Sequence, residues 1–567
     1  MLTKISINNF KTIENAEIEL GQNVVFIGPN NSGKTSALQA IALWDTGLKI
    51  WLSSKGHDVK VSKRAGVTIN KRDLIALSVP DAKLLWKDLH VWDASEEDKI
   101  MIQIIAEGIN NGEVWRSGFE FYFANPESFY CRPILKNEKD EMIKIPTALA
   151  DVKVAFLPPM SGLASVEPKI EHGRINVLIG EGQTAQVLRN LCHDVYNANG
   201  KTWKMIVDHI SSLFGVKLEI PEYIGLRGEI TLKYKDQRKN ELDISCSGRG
   251  LQQTLLLLSY LYSNPGTVVL LDEPDAHLEI LRQRHIYRLI TEVATEQRCQ
   301  IIAASHSEVV LNEAVEKDTV IAFVGRPHKI NNKGQQVIKS LKEIGFQDYY
   351  LAEEKGWVLY MEGTTDLMVL RAMAKKLKHP AEQVIEMPFL HVLGNNVPKN
   401  SYNHFFALKE ACPDLLGLAI YDKIGFTLEQ KEGLTQMMWS KREIENYICN
   451  KDVLIEYARG KYEDDIFLHS QSEHRAHIMA ETIKEFEDAI QLTKNQSPWD
   501  DDFKISDDFL DPLFSKYHEK LGLPANTLRK NAYFELVELL PKEKIHSDII
   551  GTLNLIVEIS EKANPSI

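Results

Sequence analysis

The stretch Gly28-Pro29-Asn30-Asn31-Ser32-Gly33-Lys34-Thr35 constrains this chain more than any other. An apolar run, Val24-Val25-Phe26-Ile27, leads into it, and Ser36-Ala37-Leu38-Gln39-Ala40-Ile41 leaves it with helical spacing. Strand, glycine-rich loop and helix in that order turn a GxxxxGK(S/T) match into a P-loop. The glycines let the backbone wrap a phosphate chain, whose charge then meets successive N–H groups and a helix N-terminus. ATP is the expected ligand: Lys34 would reach its β- and γ-phosphates, and the Thr35 hydroxyl would hold Mg²⁺.

Two further strand ends carry the chemistry such a loop needs. Val268-Val269-Leu270-Leu271 ends in Asp272-Glu273-Pro274, with Asp275-Ala276-His277 next. Asp272 would complete the Mg²⁺ shell and Glu273 would polarise the attacking water. Alone, such an acid pair is a solvated turn; behind a P-loop it reads as a hydrolytic pair. Ile301-Ile302-Ala303-Ala304-Ser305 ends in His306. A lone histidine is more often packed or capped, but after the two earlier motifs it reads as a γ-phosphate sensor. Ser245-Cys246-Ser247-Gly248-Arg249-Gly250-Leu251-Gln252-Gln253 opens a long apolar helix, which Pro265-Gly266 ends.

In this order the motifs resemble the ABC-type ATPases, in the branch of the SMC, Rad50 and RecF proteins, over roughly residues 1–330. The resemblance implies that Ser247 and Gly248 contact the γ-phosphate bound to a second subunit. It makes Asp275 the D-loop aspartate and His306 the switch histidine. Two ATP molecules would then lie between two heads, giving a homodimer or higher homo-oligomer. The sequence has no long heptad arm, which counts against a full SMC or Rad50 protein.

Bulk properties narrow the class further. A chain of 567 residues is too long for one core, and two to four domains are expected. A net charge of −13 excludes a generally basic nucleic-acid coat but not a local basic groove. The six cysteines are scattered without a CxxC pair, as in a reducing compartment with no structural zinc. Met1-Leu2-Thr3-Lys4-Ile5 has no apolar signal region, and the Leu255–Leu258 run is too short for a bilayer. A cytoplasmic location without a membrane partner is expected. Alternation at Ile5, Ile7 and Phe10, then Ala16, Ile18 and Leu20, predicts two strands, and Val154-Ala155-Phe156-Leu157 a third. About 44–144 reads as a mixed, antiparallel part of the first lobe, and 165–215 as a helical insertion that spreads or dimerises it.

A new unit begins near Trp357. Three strands are expected: Trp357–Met361 ending at Glu362, Phe389–Leu393 ending at Gly394-Asn395-Asn396, and Leu416–Tyr421 ending at Asp422. Strands alternating with helices predict a small parallel α/β domain whose strand-end acids collect ligands and metals. The pattern resembles a Toprim domain, and ATPase followed by Toprim resembles the OLD-family nucleases, including the Gabija nuclease and retron-associated antiphage effectors. Trp439-Ser440-Lys441-Arg442-Glu443-Ile444-Glu445-Asn446-Tyr447 supports that placement. The resemblance implies Glu362, Asp366, Asp422 and Glu445 as Mg²⁺ or Mn²⁺ ligands, and Lys530 as a lysine beyond the Toprim core. It also implies DNA as substrate, and a co-encoded helicase or reverse transcriptase as partner. Phosphodiester cleavage uses divalent ions held by carboxylates, and a lysine offsets charge on the pentacoordinate phosphate. One departure stands out. Where the family has Asp-x-Asp, this chain reads Asp422-Lys423-Ile424. Either Glu443 or Glu445 fills the gap, or one metal is lost, or the nuclease is impaired.

The expected fold class is therefore α/β: an ABC/SMC-like P-loop ATPase head over 1–340, a Toprim domain over 355–450, and a helical extension over 451–567 packed on it. The acidic run Asp500-Asp501-Asp502 reads as a solvated loop. Two functions compete: an ATP-regulated, metal-dependent DNA endonuclease, and an ATP-switched DNA sensor whose decayed Toprim domain recruits a separate effector. A RecF-like repair ATPase is disfavoured, because that family has no Toprim fusion.

Overall fold

The structure, a computed structural model, describes residues 1–567 except 57–65, 71–73, 75–76, 78, 94–97, 111, 135–144, 161, 316, 324–325, 331–344, 424, 426–427, 430, 461–465, 524–527 and 566–567. Ile424, the residue standing in the Asp-x-Asp position, lies outside the described residues. The chain divides into two compact units, Met1–Ile338 and Lys339–Ile567.

The first unit stacks two six-stranded sheets. One is antiparallel, in the order Ile13–Glu19, Leu2–Phe10, Ile102–Asn110, Glu113–Asn125, Ser128–Pro133 and Val67–Asn70. Their alternating burial, as in the Leu2–Phe10 strand, turns one face to the core. The other sheet runs Val154–Leu157, Val268–Asp272, Gln300–Ser305, Asn23–Ile27, Thr319–Ala322 and His328–Lys329. Its first five strands are parallel and the last is antiparallel. Val268–Asp272 and Gln300–Ser305 are buried at every residue, as central parallel strands require.

The helix Lys34–Lys55 packs against both sheets, with Leu38, Ile41, Trp44, Leu48 and Trp51 buried. This corrects the reading of mixed structure from Trp44 onward: Trp44, Leu48 and Trp51 continue the helical period to Lys55. The stretch expected to be helical contains the helices His172–Gly180, Leu188–Ala198 and Gly200–Phe214. The Leu255–Leu258 run is a buried core helix, Arg249–Ser263. Among the described residues no helix is long and apolar enough to cross a membrane.

The second unit is built on a four-stranded parallel sheet in the order Leu390–Val392, Trp357–Met361, Leu416–Tyr421 and Leu434–Met438. The fourth strand was not expected. It is short, half-buried, and follows Gly433 in a left-handed conformation (φ 83°), so neither length nor apolar run announces it. The C-terminal helices share one hydrophobic core with this sheet, through Ile444, Phe509, Leu513, Tyr533, Ile549 and Ile556. The acidic run is an exposed turn, as expected, on which Lys441 pairs with Asp501 at 3.2 Å and Lys423 pairs with Asp502. Those exposed pairs are worth about 0–1 kcal/mol each, against about 1.5–3 kcal/mol for each large apolar side chain buried. Apolar burial therefore holds the extension in place.

Candidate active sites at the carboxyl ends of two parallel sheets

In the first unit the strand order fixes the site. The strand carrying the P-loop lies beside Gln300–Ser305, which lies beside Val268–Asp272. Register aligns Phe26 with Ala304 and Ala304 with Asp272, so the three strand ends meet on one edge, where α/β sheets bind ligands. Thr35 Oγ1 donates to the Asp272 carboxylate, 2.9 and 3.1 Å from its two oxygens. Lys34 is buried, and its ammonium donates to the carbonyls of Gly28 (2.8 Å) and Pro29 (2.7 Å). Burial lowers the Lys34 pKa, opposed by Glu273, Asp272 and Asp275. Asp272 is pushed up to about 6, by burial first and then by Glu273 beside it, with the Thr35 hydroxyl opposing.

A Cβ on Gly28 would sit 2.6 Å from the Phe323 carbonyl, so only glycine fits there. Asn31 (φ 65°), Gly33 (φ 97°) and Glu273 (φ 48°) are all in the left-handed region. The imidazole of His306 lies 3.7 Å from the Glu273 carboxylate. Asp275 is buried, with its pKa raised chiefly by burial, and among the described residues its Oδ1 and the Ser32 hydroxyl have no hydrogen-bond partner. Buried polar atoms without partners are costly, and both belong to the loop-and-strand-end group. Hard oxygens from Thr35 and Asp272, with a lysine and a glycine-rich turn, fit a Mg²⁺-nucleotide. Asn30 lies in the same loop, exposed to solvent.

Ser247 and Gly248 are placed differently. Gly248 caps the helix Arg249–Ser263 and is exposed; the Ser247 hydroxyl donates to the Ile244 carbonyl at 2.7 Å. Gln252, buried in the first turn, donates to the Ile244 and Ser247 carbonyls at 3.1 and 3.0 Å and sets the loop. Among the described residues no hydrogen bond joins Ser247 or Gly248 to the P-loop of the same chain.

The second unit repeats the strand-end principle with acids alone. Glu362 follows one central strand and Asp422 its neighbour. Asn396, on the loop after Leu390–Val392, donates its amide to both, to Asp422 at 3.1 Å, and accepts from the Asp422 backbone N–H at 2.9 Å. Sequence reasoning gave Asn396 no role, although it stands where the other ligands stand, just past a strand end. Burial raises the Asp422 pKa well above the usual range, with Glu362, Asp366 and Glu445 adding like charge. Asp366 also accepts from the Gly363 N–H at 3.2 Å, closing the first turn of the helix Thr364–Leu377.

The segment 443–446 docks on the C-terminal extension. Glu443 accepts from the Ser506 N–H (2.6 Å) and hydroxyl (3.0 Å), so both of its oxygens are engaged. Glu445 is buried and faces Lys530, whose ammonium is 3.7 Å away. Burial acts to lower the Lys530 pKa, but Glu445, Glu443, Asp507 and Asp366 outweigh it and keep the amine charged. Of the two acids named for the gap at 424, Glu443 has both oxygens engaged by Ser506, whereas Glu445 faces Lys530. Among the described residues no three of Glu362, Asp366, Asp422 and Glu445 bring ligand atoms within 4.8 Å of one another; Glu362 and Asp422 meet through Asn396, and their oxygens are of the type a hard dication takes.

That electrostatic strain predicts a pH signature. Asp366 is pushed up to about 6 and Glu445 to about 7, burial being the first cause in each, opposed at Glu445 by Lys530. Such groups keep protons in the folded chain that the unfolded chain has released, so stability falls as pH rises from about 4 to about 7. Mg²⁺ or Mn²⁺ should recover it: the metal-induced rise in Tm should be larger near pH 8 than near pH 5.5. Differential scanning fluorimetry reads this, with Glu362→Gln separating it from Asp272. Equal rises at both pH values would remove the acids as ligands.

The fold and these strand ends define a P-loop ATPase head joined to a parallel α/β unit with clustered acids. Residues 1–103 match the family model "AAA ATPase domain", and 163–312 match "AAA domain, putative AbiEii toxin, Type IV TA system". An OLD nuclease from Thermus scotoductus is 21% identical over 331 residues, 54% of this chain and 59% of that protein. The zinc import ATP-binding protein ZnuC of Buchnera aphidicola is 30% identical over 95 residues, 17% of this chain and 38% of that protein. The chain thus spans well under two thirds of either relative. An SMC head bound to the C-winged helix domain of ScpA superposes at a TM-score of 0.34 with 14% identity, covering 60% of this chain and 99% of that one. The chain is thus similar to AAA ATPase domains over parts of the first unit and, over about half its length, to an OLD nuclease; the strand order above defines the P-loop fold.

Proposed function

We propose that this chain is an ATP-regulated, metal-dependent DNA endonuclease of the OLD family, acting in antiphage defence as Gabija or retron-associated nucleases do. The carrying observation is the pairing of Glu362 with Asp422 through Asn396 at adjacent parallel strand ends, with Glu445 and Lys530 beside them. Glu362, Asp366, Asp422 and Glu445 would hold Mg²⁺ or Mn²⁺, which would supply Lewis acidity toward a DNA phosphodiester. Asn396 fixes the orientation of two of those carboxylates, and Lys530 offers its charge to the phosphate as negative charge builds. This unit is read as Toprim-like. The likeness to an OLD nuclease supports a nucleic-acid substrate, which we read as DNA.

In the head, Lys34 and the loop amides from Asn30 to Gly33 bind the triphosphate, while Thr35 and Asp272 hold its Mg²⁺. Glu273 polarises water and His306 orients beside it. The half-buried Ser247 and exposed Gly248 at the helix start, with no hydrogen bond to their own P-loop among the described residues, support a head-to-head dimer in which each copy completes the other's site. In a Glu273→Gln background ATP should drive dimerisation, and Ser247→Arg should abolish it, as read by light scattering. ATP-bound Ser247→Arg dimers would sink the head-to-head reading.

Supercoiled plasmid incubated with Mg²⁺ or Mn²⁺, with and without ATP, tests the proposal. Nicking or linearisation is expected, at a rate that changes with ATP. No cleavage with either metal, alongside intact ATP hydrolysis, would overturn the nuclease and leave an ATP-switched DNA sensor. A co-encoded helicase or reverse transcriptase would be the partner to add next.

A further inference from the structure

The second unit holds another convergent set of ligand-type side chains, made mostly of nitrogen rather than oxygen. Among the described residues, Asp348, His391 and His404 form the one group of three His, Cys, Asp or Glu residues with a ligand atom from each within 4.8 Å of the others. They come from three separate elements: the helix Phe346–Lys355, the strand Leu390–Val392 and the helix Pro398–Ala411. Asp348 Oδ2 is 2.9 Å from His391 Nδ1 and 3.0 Å from His404 Nε2. The two imidazoles stack with centroids 3.6 Å apart and planes 25° from parallel, each aiming a nitrogen at the same oxygen. On the far side, Tyr360 Oη lies 2.9 Å from His404 Nδ1. Tyr360 is fully buried, so this contact holds the ring, and with Nδ1–H donating to Tyr360 Oη it leaves Nε2 as the ligating nitrogen, an outer-shell arrangement common behind a metal-bound histidine.

Two physical readings fit a carboxylate oxygen flanked by two imidazole nitrogens. Each ring donates an N–H, or the three lone pairs face one cation. Bonds of about 2.1 Å place neighbouring ligand atoms about 3.0 Å apart at right angles and about 3.4 Å apart at tetrahedral angles, so the observed 2.9 and 3.0 Å lie near a metal edge as well as in hydrogen-bond range. Access favours the cation. The side chains of Asp348, His391 and His404 are 23%, 29% and 10% exposed, so water can complete the shell. Imidazole selects borderline transition ions over Mg²⁺ or Ca²⁺, and two histidines with one carboxylate are a common facial set for them.

We propose that Asp348, His391 and His404 form a binding site for a transition-metal dication of the Zn²⁺ class. An ion there ties two helices to the strand that leads into the Asn396 loop. The site does not depend on the nuclease reading, because its ligands are separate from Glu362, Asp366, Asp422 and Glu445.

Zn²⁺ affinity of the full chain, after chelator treatment, is measured by competition with a chromophoric chelator in a Glu362→Gln, Asp422→Asn background. One tight equivalent is expected there. Its affinity should fall at least about 10-fold in His391→Asn and in His404→Asn added to that background. Unchanged affinity in both, or no tight equivalent before the histidines are altered, overturns the proposal. If the histidine variants fail to fold, X-ray absorption of the Zn²⁺-loaded background protein decides it. Two imidazoles in the shell support the site, and a shell without imidazole overturns it.

Discussion

Glu362→Gln should lower metal-dependent DNA cleavage by about 10²-fold or more and leave ATP turnover unchanged. Glutamine keeps the shape of the side chain and an oxygen able to accept from Asn396, so the loop contact survives. What it removes is the anionic oxygen a hard dication needs and the like charge that raises the Asp422 pKa. The metal-free variant should therefore be at least as stable as the parent, because repulsion within a half-buried carboxylate pair is relieved. Plasmid cleavage, ATPase rate and thermal melting on the same preparation separate these effects. Cleavage at the parent rate would show that the metal site lies elsewhere.

Lys34→Ala should reduce ATP hydrolysis by a comparable factor, about 10²-fold or more. The Lys34 amine is the one cation at the centre of the loop, buried and already bonded to the Gly28 and Pro29 carbonyls. Removing it leaves those carbonyls without that donor and the phosphates without their charged partner. Phosphate release and binding of a fluorescent ATP analogue are the measurements. Cleavage by Lys34→Ala without ATP should match the parent, and any ATP-dependent change in cleavage should vanish. Persistent ATP turnover would remove Lys34 from the site, and ATP-responsive cleavage in a variant that binds no nucleotide would break the proposed coupling.

The head was legible because nucleotide chemistry uses short contiguous runs. Gly28–Thr35, Asp272-Glu273 and Ser305-His306 each sit at the end of an apolar strand, and strand ends are visible as abrupt losses of hydrophobicity. The helix from Lys34 was read too short, since Trp44 looked like the start of new structure rather than another turn of the same buried face. In the second unit the acids at strand ends were legible for the same reason. The Leu434–Met438 strand was not, because a half-buried edge strand has no long apolar run.

Sequence alone determined the order of the chemistry: a phosphate loop, a signature helix, two acids, a histidine, and then a second set of acids on another parallel sheet. These are local matters, decided by residue type and by where hydrophobic runs stop. Only the tertiary structure decided which of those acids share a site and what else stands with them. It engages Glu443 with Ser506 and turns Glu445 to Lys530. It sets Asn396 between Glu362 and Asp422. It brings Asp348, His391 and His404 onto one oxygen. The physical reason is that a carboxylate's pKa, its partners and its fitness as a ligand depend on desolvation and on charges a few ångströms away, and those neighbours are set by packing rather than by sequence distance.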